Sequence, residues 1–482
     1  MTNPVIPGMH PDPSVCRVGD DYYLVCSSFE YFPGIPVFHS RDLLNWTQIG
    51  NALDRTSQLL LTAETPSSAG IYAPTLRHHD GKFWLIVTSV SHGGGNMVFT
   101  ATDPAGPWSD PIPLPDIGGI DPDLAWDDEG NCRCTVAGVS QYRIDLATGQ
   151  TLGEPARLWS GTPGAKAPEA PHLYRIGEYW YLLIAEGGTE RGHGVSIARG
   201  PEPDGPFEPC PANPILSHRS TDEPVQNTGH ADLVQGPDGS WWMVLLGVRP
   251  GGGTPGWHVL GRETFLAPVS WVDGWPVVGE LTSGPVSAVT ERDDFDDSEL
   301  RPCWISVRDR SEQHCTTKER SGWLTLHARG SGLDDPGVVF AGRRQLHLSC
   351  RVRTLIDPAD GSGGLAVRFD EEHHYEIEVV AGEIQVIARI GPLRTVVASQ
   401  AVATGTLILG VQVDEARELR DSRSGPDTIS FGVEESDGTF TVLATLDGRY
   451  LSTEVAGGFT GRVIGVYAAT GTVHFDWFDY VA

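Results

Sequence analysis

Five short, aromatic-rich apolar runs recur along the first half of the chain, and this recurrence constrains the fold more than any other feature. They are Tyr22-Tyr23-Leu24-Val25, Phe83-Trp84-Leu85-Ile86-Val87, Cys132-Arg133-Cys134-Thr135-Val136, Tyr179-Trp180-Tyr181-Leu182-Leu183 and Trp241-Trp242-Met243-Val244-Leu245, with starts separated by 61, 49, 47 and 62 residues. Each is too short for a helix. Each follows a turn pair, in order Gly19-Asp20, Asp80-Gly81, Glu129-Gly130, Gly177-Glu178 and Asp238-Gly239, the chemistry of a hairpin. Five strand-rich units of about 50 to 60 residues predict an all-β fold, a five-bladed β-propeller over residues 1–290.

In a propeller the first strand of each blade runs beside the central channel, so equivalent positions ahead of the aromatic runs converge on one axis. Asp12 lies 10 residues before Tyr22, Asp121 lies 11 before Cys132, Glu169 lies 10 before Tyr179, and His230 lies 11 before Trp241. In the second unit the register falls on Ala73, which offers only room. Three carboxyl groups and a histidine therefore share one register.

After residue 290 the texture changes to strict alternation, as in Trp323-Leu324-Thr325-Leu326-His327, Leu346-His347-Leu348-Ser349-Cys350-Arg351-Val352, Tyr375-Glu376-Ile377-Glu378-Val379, Ile384-Gln385-Val386-Ile387, Ile429-Ser430-Phe431-Gly432-Val433 and Val473-His474-Phe475-Asp476-Trp477. Half-buried antiparallel strands of this kind predict a β-sandwich over residues 291–482. The charged run from Asp414 to Arg423 reads as a solvated loop.

The charge balance, 34 Lys+Arg against 63 Asp+Glu for a net −29, excludes whole classes of partner. Phosphate backbones and anionic lipid surfaces are repelled, so neither nucleic acid nor membrane is expected, while small neutral ligands remain open. Residues Met1 to Gly8 carry no basic or apolar leader pattern, and nowhere do 18 apolar residues run together. The eight cysteines lack paired metal-site spacing and read as free thiols in a reducing cytoplasm, Cys132 and Cys134 as core side chains of one strand. No cofactor is required by these patterns, and a homo-oligomer stays open.

Carboxyl groups facing one another across a small pocket suit acetal hydrolysis. One stays protonated to donate to the departing oxygen, and another, ionised, activates water or attacks directly. A third nearby raises the pKa of the acid by like-charge repulsion. Asp12, Asp121 and Glu169 supply that count. The alternative for each alone is structural: Asp12-Pro13 and Asp121-Pro122 as turn starters, Glu169 as a loop cap.

At this point the chain resembles glycoside hydrolase family 43, the propeller β-xylosidases and α-L-arabinofuranosidases, in the branch that carries a C-terminal concanavalin A-like β-sandwich. The likeness runs nearly end to end: Asn3-Pro4-Val5, His10-Pro11-Asp12-Pro13-Ser14, Ser28-Phe29-Glu30-Tyr31-Phe32-Pro33-Gly34, Gly119-Ile120-Asp121-Pro122, Glu169-Ala170-Pro171-His172, Ala185-Glu186-Gly187-Gly188-Thr189, Gly229-His230-Ala231-Asp232 and Gly261-Arg262-Glu263-Thr264-Phe265. The resemblance implies single-displacement hydrolysis with inversion: Asp12 as general base, Glu169 as general acid, and Asp121 as the group that tunes and orients the acid. It implies that Arg262 holds sugar hydroxyls, against the alternative of an ion pair with Glu263 or Asp273. Phe29 and Tyr72 match aromatic walls, core packing being the alternative for Phe29. His230 matches a channel histidine that in some relatives faces a water or calcium ion, with a hydrogen-bonded core histidine as the alternative. Gly457-Gly458-Phe459-Thr460-Gly461 matches a sandwich loop that closes the pocket with its phenylalanine. Departures are Tyr72, where the family usually has Trp, Ala170 for Gly, and Tyr31 for Trp.

The expectation is therefore a cytoplasmic exo-acting glycosidase releasing terminal β-D-xylose from short neutral xylo-oligosaccharides. An α-L-arabinofuranosidase or bifunctional enzyme is the alternative, and a non-hydrolytic carbohydrate-binding propeller the remote one.

Overall fold

The computed structural model describes residues 3–91, 93–358, 360–416, 422–435 and 437–482. Five antiparallel sheets follow one another from Ser14 to Val278, and each aromatic run is the second strand of its sheet. Blade one, for example, orders Ser14–Val18, Asp21–Val25, Gly34–Ser40 and Thr47–Leu53. All five turn pairs lie between the first and second strands.

The apolar side chains close these sheets into a ring. Val25 and Ile35 of blade one pack with Leu76 and Leu85 of blade two. Ile86 meets Leu124 and Cys134, so both cysteines of the third run are core. Ala125 meets Leu173 and Leu182, and Leu183 meets Leu233 and Leu245. Val234 and Leu266 of blade five return to Val15 and Leu24 of blade one, together with Val5 and Ile6. Asn3 locks this closure: its side-chain amide donates to the Leu266 carbonyl at 2.8 Å and accepts from the Leu266 N–H at 2.9 Å.

A buried polar hub ties all five blades at the axis. Arg77 of blade two pairs with Asp123 of blade three and Asp232 of blade five, each at 2.8 Å. Ser14 of blade one donates to Asp232 at 2.8 Å, and Tyr174 of blade four donates to it at 2.5 Å. Burial opposes ionisation of Asp232, but the Arg77 guanidinium outweighs it and holds the carboxyl far below its usual range. These side chains stand on the first strands that hold Glu169 and His230 and that begin two residues after Asp12, Ala73 and Asp121, so the hub fixes the mutual placement of the register positions.

The C-terminal region is a sandwich of an eight-stranded and a six-stranded antiparallel sheet around one core that includes Val352, Leu365, Ile377, Val411 and Phe475. Its first strand, Thr290–Asp293, straddles the expected boundary. Strand Cys350–Asp357 alternates buried and half-buried residues as expected of a one-faced sheet. Val339–Arg344 and Ser362–Arg368 are buried at every position, because their outer face meets the propeller. Phe340, Ala366, Val463 and Tyr467 pack there on Met9, Phe29 and Tyr31, and Ser306–Val307 pairs with Tyr31–Phe32 across the boundary. The predicted strand over 346–352 begins only at Cys350; ahead of it, the Leu346 and His347 N–H groups donate to the Tyr480 hydroxyl at 3.1 and 3.2 Å rather than to a ladder. Asp414 and Glu415 close strand Leu407–Glu415, and residues 417–421 of the charged run lie outside the described residues.

Candidate active site

The shared register is also a shared backbone conformation. Asp12 (φ 57°), Asp121 (φ 54°), Ala170 beside Glu169 (φ 49°) and His230 (φ 46°) all sit in the left-handed region. This region is sparsely populated by residues with a Cβ, and such conformations persist where the surrounding fold over-determines them. The side chains of Asp12 and Asp121 point to a common cavity.

That cavity, about 220 Å³, is lined by Asp12, Phe29, Tyr72, Ala73, Ile120, Asp121, Glu169, Thr189, Glu190, His230, Arg262 and Phe459. Every residue assigned to the site from the sequence lines it. Larger hollows occur elsewhere on the surface; one of them brings Asp54, Glu299 and Glu312 together but has Phe32 as its single aromatic side chain. Ile120, Thr189 and Glu190 were not singled out from the sequence. Thr189 stood in a quoted motif, but its reach into the cavity depends on blade four lying beside blade five.

Asp12 is held as an anion. Burial by itself raises its pKa, but the Arg262 guanidinium and the Ser27 hydroxyl bring the carboxyl below its ordinary range. Arg262 Nη1 donates to Oδ1 at 2.9 Å and Ser27 Oγ to Oδ2 at 2.6 Å, while His230 Nδ1 stands 3.5 Å from Oδ1. Burial pushes the His230 pKa down to about 3, leaving a neutral ring. Among the described residues no group of three or more His, Cys, Asp or Glu side chains is arranged to hold a metal ion.

Glu169 is in the opposite state. Burial first, and then the negative charge of Asp12, push its pKa up to about 7. Asp121 is also driven upward, by burial, Glu169 and Asp12, against one hydrogen bond from the Ala170 N–H at 3.2 Å. Burial and mutual repulsion thus both favour a proton on the Glu169 and Asp121 pair.

Arg262 spans the two domains. Besides Asp12, its Nη1 donates to Thr189 Oγ1 at 3.1 Å and its Nη2 to the Phe459 carbonyl at 3.3 Å. Neither Glu263 nor Asp273 is its partner; Glu263 binds Arg249 at 2.7 and 2.9 Å. Its guanidinium sits beside the stacked rings of Phe29 and Phe459, 5.6 and 5.5 Å from their centroids, within cation–π range of both. Phe29 satisfies both of its readings, since it is buried in the inter-domain cluster and forms the cavity wall.

The sandwich supplies the rim. The Phe459 ring stacks on Phe29 at 6.1 Å and meets Tyr72 edge-on at 5.8 Å. Its loop is anchored to the propeller on both sides: Phe459 N–H donates to Ser68 Oγ at 2.8 Å, and Glu454 of helix Thr453–Ala456 binds the His258 N–H and ring at 2.9 and 2.7 Å. Gly461 is required there, because a Cβ would meet the Leu260 carbonyl oxygen at 2.3 Å. Tyr31 is not a wall residue: it is fully buried between the domains, its hydroxyl accepting from Arg368 at 3.0 Å. Its departure from Trp therefore bears on domain docking rather than on the cavity.

Comparison with known proteins agrees with this geometry. The glycosyl hydrolases family 43 profile matches residues 1–276, and that of the beta-xylosidase C-terminal concanavalin A-like domain matches 292–481. A non-reducing end alpha-L-arabinofuranosidase of Bacteroides ovatus is 40% identical over 99% of this chain and 94% of its own. A xylosidase/arabinosidase of Butyrivibrio fibrisolvens is 37% identical over 99% and 98%. Among solved structures, a xylan beta-1,4-xylosidase of Bacillus halodurans superimposes with a TM-score of 0.88 at 30% identity, over the whole of both chains. A cavity of opposed carboxyls on the axis of five blades, closed by a concanavalin A-like domain, and profiles that together span nearly the whole sequence lead to one conclusion: the chain is a glycoside hydrolase and belongs to glycosyl hydrolase family 43.

Proposed function

We propose that this hydrolase removes single pentosyl units, foremost terminal β-D-xylose, from the non-reducing ends of short neutral oligosaccharides, by one displacement with inversion. The observation that carries the reading is that one small, rimmed cavity holds two carboxyls in opposite surroundings, Asp12 bonded to a guanidinium and a hydroxyl and Glu169 pushed toward its protonated form. At about 220 Å³ it falls below the ~300–1,000 Å³ of sites that enclose drug-sized ligands, a size suited to one sugar ring. Asp12, an anion at neutral pH, deprotonates water for attack at the anomeric carbon. Glu169 gives its proton to the departing oxygen, and Asp121 tunes and orients it. Arg262 serves twice, holding Asp12 ionised and offering its remaining donors to sugar hydroxyls, while Phe29, Tyr72 and Phe459 cover the apolar ring face.

A second reading, release of α-L-arabinofuranose from the same cavity, is favoured by the 40% identity to an arabinofuranosidase. Initial rates on p-nitrophenyl β-xyloside and α-arabinofuranoside rank the two. Cleavage of neither, with arabinan or galactan hydrolysed instead, would overturn the pentosidase reading. Proton NMR of the first anomer released tests inversion. The surplus of acid, −29 overall, supports neutral chains over glucuronic acid-bearing ones. Eight cysteines without a disulfide support a cytoplasmic site of action, which activity in a secreted fraction would contradict.

A further inference from the structure

One buried titratable group beside the cavity has no place in that scheme. His193 is 1% exposed. Its Nδ1 lies 3.0 Å from the carbonyl of Asn227; a carbonyl only accepts, so Nδ1 carries the ring proton. Burial drives its pKa down to about 4, so at neutral pH the ring is uncharged and Nε2 is a bare lone pair. Nε2 has no hydrogen-bond partner among the described residues, and 3.9 Å away stands Oε1 of Glu169.

Resting on the assignment of Glu169 as the acid, we propose that His193 is a positioning residue: its Nε2 lone pair localises on Glu169 the proton that Glu169 and Asp121 share. A neutral acceptor attracts a protonated carboxyl and repels an ionised one. Asp121 faces the reverse bias, since the Ala170 N–H favours its ionised form. Asp121 is the more deeply buried of the two, so burial by itself would keep the proton there; the lone pair of His193 and the Ala170 N–H both act the other way, toward the carboxyl that must donate it. The remaining charges around Glu169 do not produce this asymmetry. Asp12 raises both groups of the pair and Arg262 lowers both, while Glu190 and Lys166, which act on Glu169, oppose each other and pair together.

The ring is held in place for this task. The His193 N–H donates to the Glu190 carbonyl, and Ser217 Oγ donates to the His193 carbonyl at 3.0 Å. Gly229 makes room for the imidazole, because a Cβ there would meet its Cε1 at 2.3 Å. A closure of about 1 Å brings the carboxyl into hydrogen-bond range, the tightening that catalytic contacts undergo when substrate binds.

The test is a leaving-group series of aryl β-xylosides plus xylobiose, run on the full chain with His193→Leu, His193→Asn and His193→Gln. Poor leaving groups need the acid proton and activated ones do not. His193→Leu should lose about 10- to 100-fold on xylobiose but only about threefold or less on the 2,4-dinitrophenyl glycoside. Its basic limb of kcat/KM should move to lower pH, since the protonated acid loses its acceptor. Asn, polar but too short, should behave like Leu, which keeps the test alive if the Leu variant fails to fold. Gln, whose amide oxygen accepts, should recover most of the loss. Equal losses along the series, or an unmoved basic limb, would overturn the proposal. Glu169→Ala is the control: if it too lacks leaving-group dependence, the acid assignment fails rather than the role of His193.

Discussion

The two sides of the cavity place the same kind of group in the same register and leave it in opposite states. Asp12, on blade one, meets a guanidinium at 2.9 Å and a hydroxyl at 2.6 Å and is ionised. Glu169, on blade four, meets carboxyl groups and a bare imidazole nitrogen and holds its proton near neutrality. Burial penalises charge on both. What separates the two is which neighbours answer that penalty, a matter of the cross-blade surroundings rather than of the carboxyl itself.

The largest expected effect removes one side at a time. Asp12→Ala and Glu169→Ala should each lower kcat by about 10²–10⁴-fold with unchanged circular dichroism. Asp12→Ala should be equally slow for every leaving group, whereas Glu169→Ala should recover on activated glycosides. A shared pattern would erase the distinction between base and acid.

Arg262→Met should come next, with a loss of about 10- to 100-fold in kcat/KM from one charged hydrogen bond. The guanidinium favours the ionised form of Asp12 and, more weakly, of Glu169. Its removal raises both folded-state pKa values, so both limbs of the pH–rate profile should move to higher pH. A profile that keeps its position would show that Arg262 binds sugar without tuning the carboxyls.

Phe459→Ala tests whether the sandwich belongs to the site. Loss of its stacking on Phe29 and its edge contact with Tyr72 should raise KM by about tenfold, with a smaller change in kcat. Wild-type kinetics would reduce the second domain to a support. Smallest of all is the chelator effect: kcat should stay the same after exhaustive EDTA treatment. A loss that calcium restores, and that His230→Ala abolishes, would instead place an ion beside Asp12.

Much of this was legible in the chain, for identifiable reasons. The five aromatic runs and their turn pairs are local signals, and every one became a second strand because side-chain alternation and turn chemistry act over a few residues. Register then carried Asp12, Asp121, Glu169 and His230 to the axis. The failures share a cause. Leu346 to Ser349 alternates like a strand, but its N–H groups found the Tyr480 hydroxyl. His193 carried no signal at all, because its chemistry depends on a carbonyl 34 positions away and on the missing side chain of Gly229.

The sequence by itself determined the all-β class, the five-fold repeat, the change to a sandwich and the identity of the carboxyls, all properties of periodicity and residue type. Only the tertiary structure decided which carboxyl keeps its proton, that Arg262 serves Asp12 rather than Glu263, and that Phe459 closes the cavity from another domain. Proton affinity and pocket shape depend on distances of a few ångströms between groups as far as 391 residues apart, which no local pattern encodes.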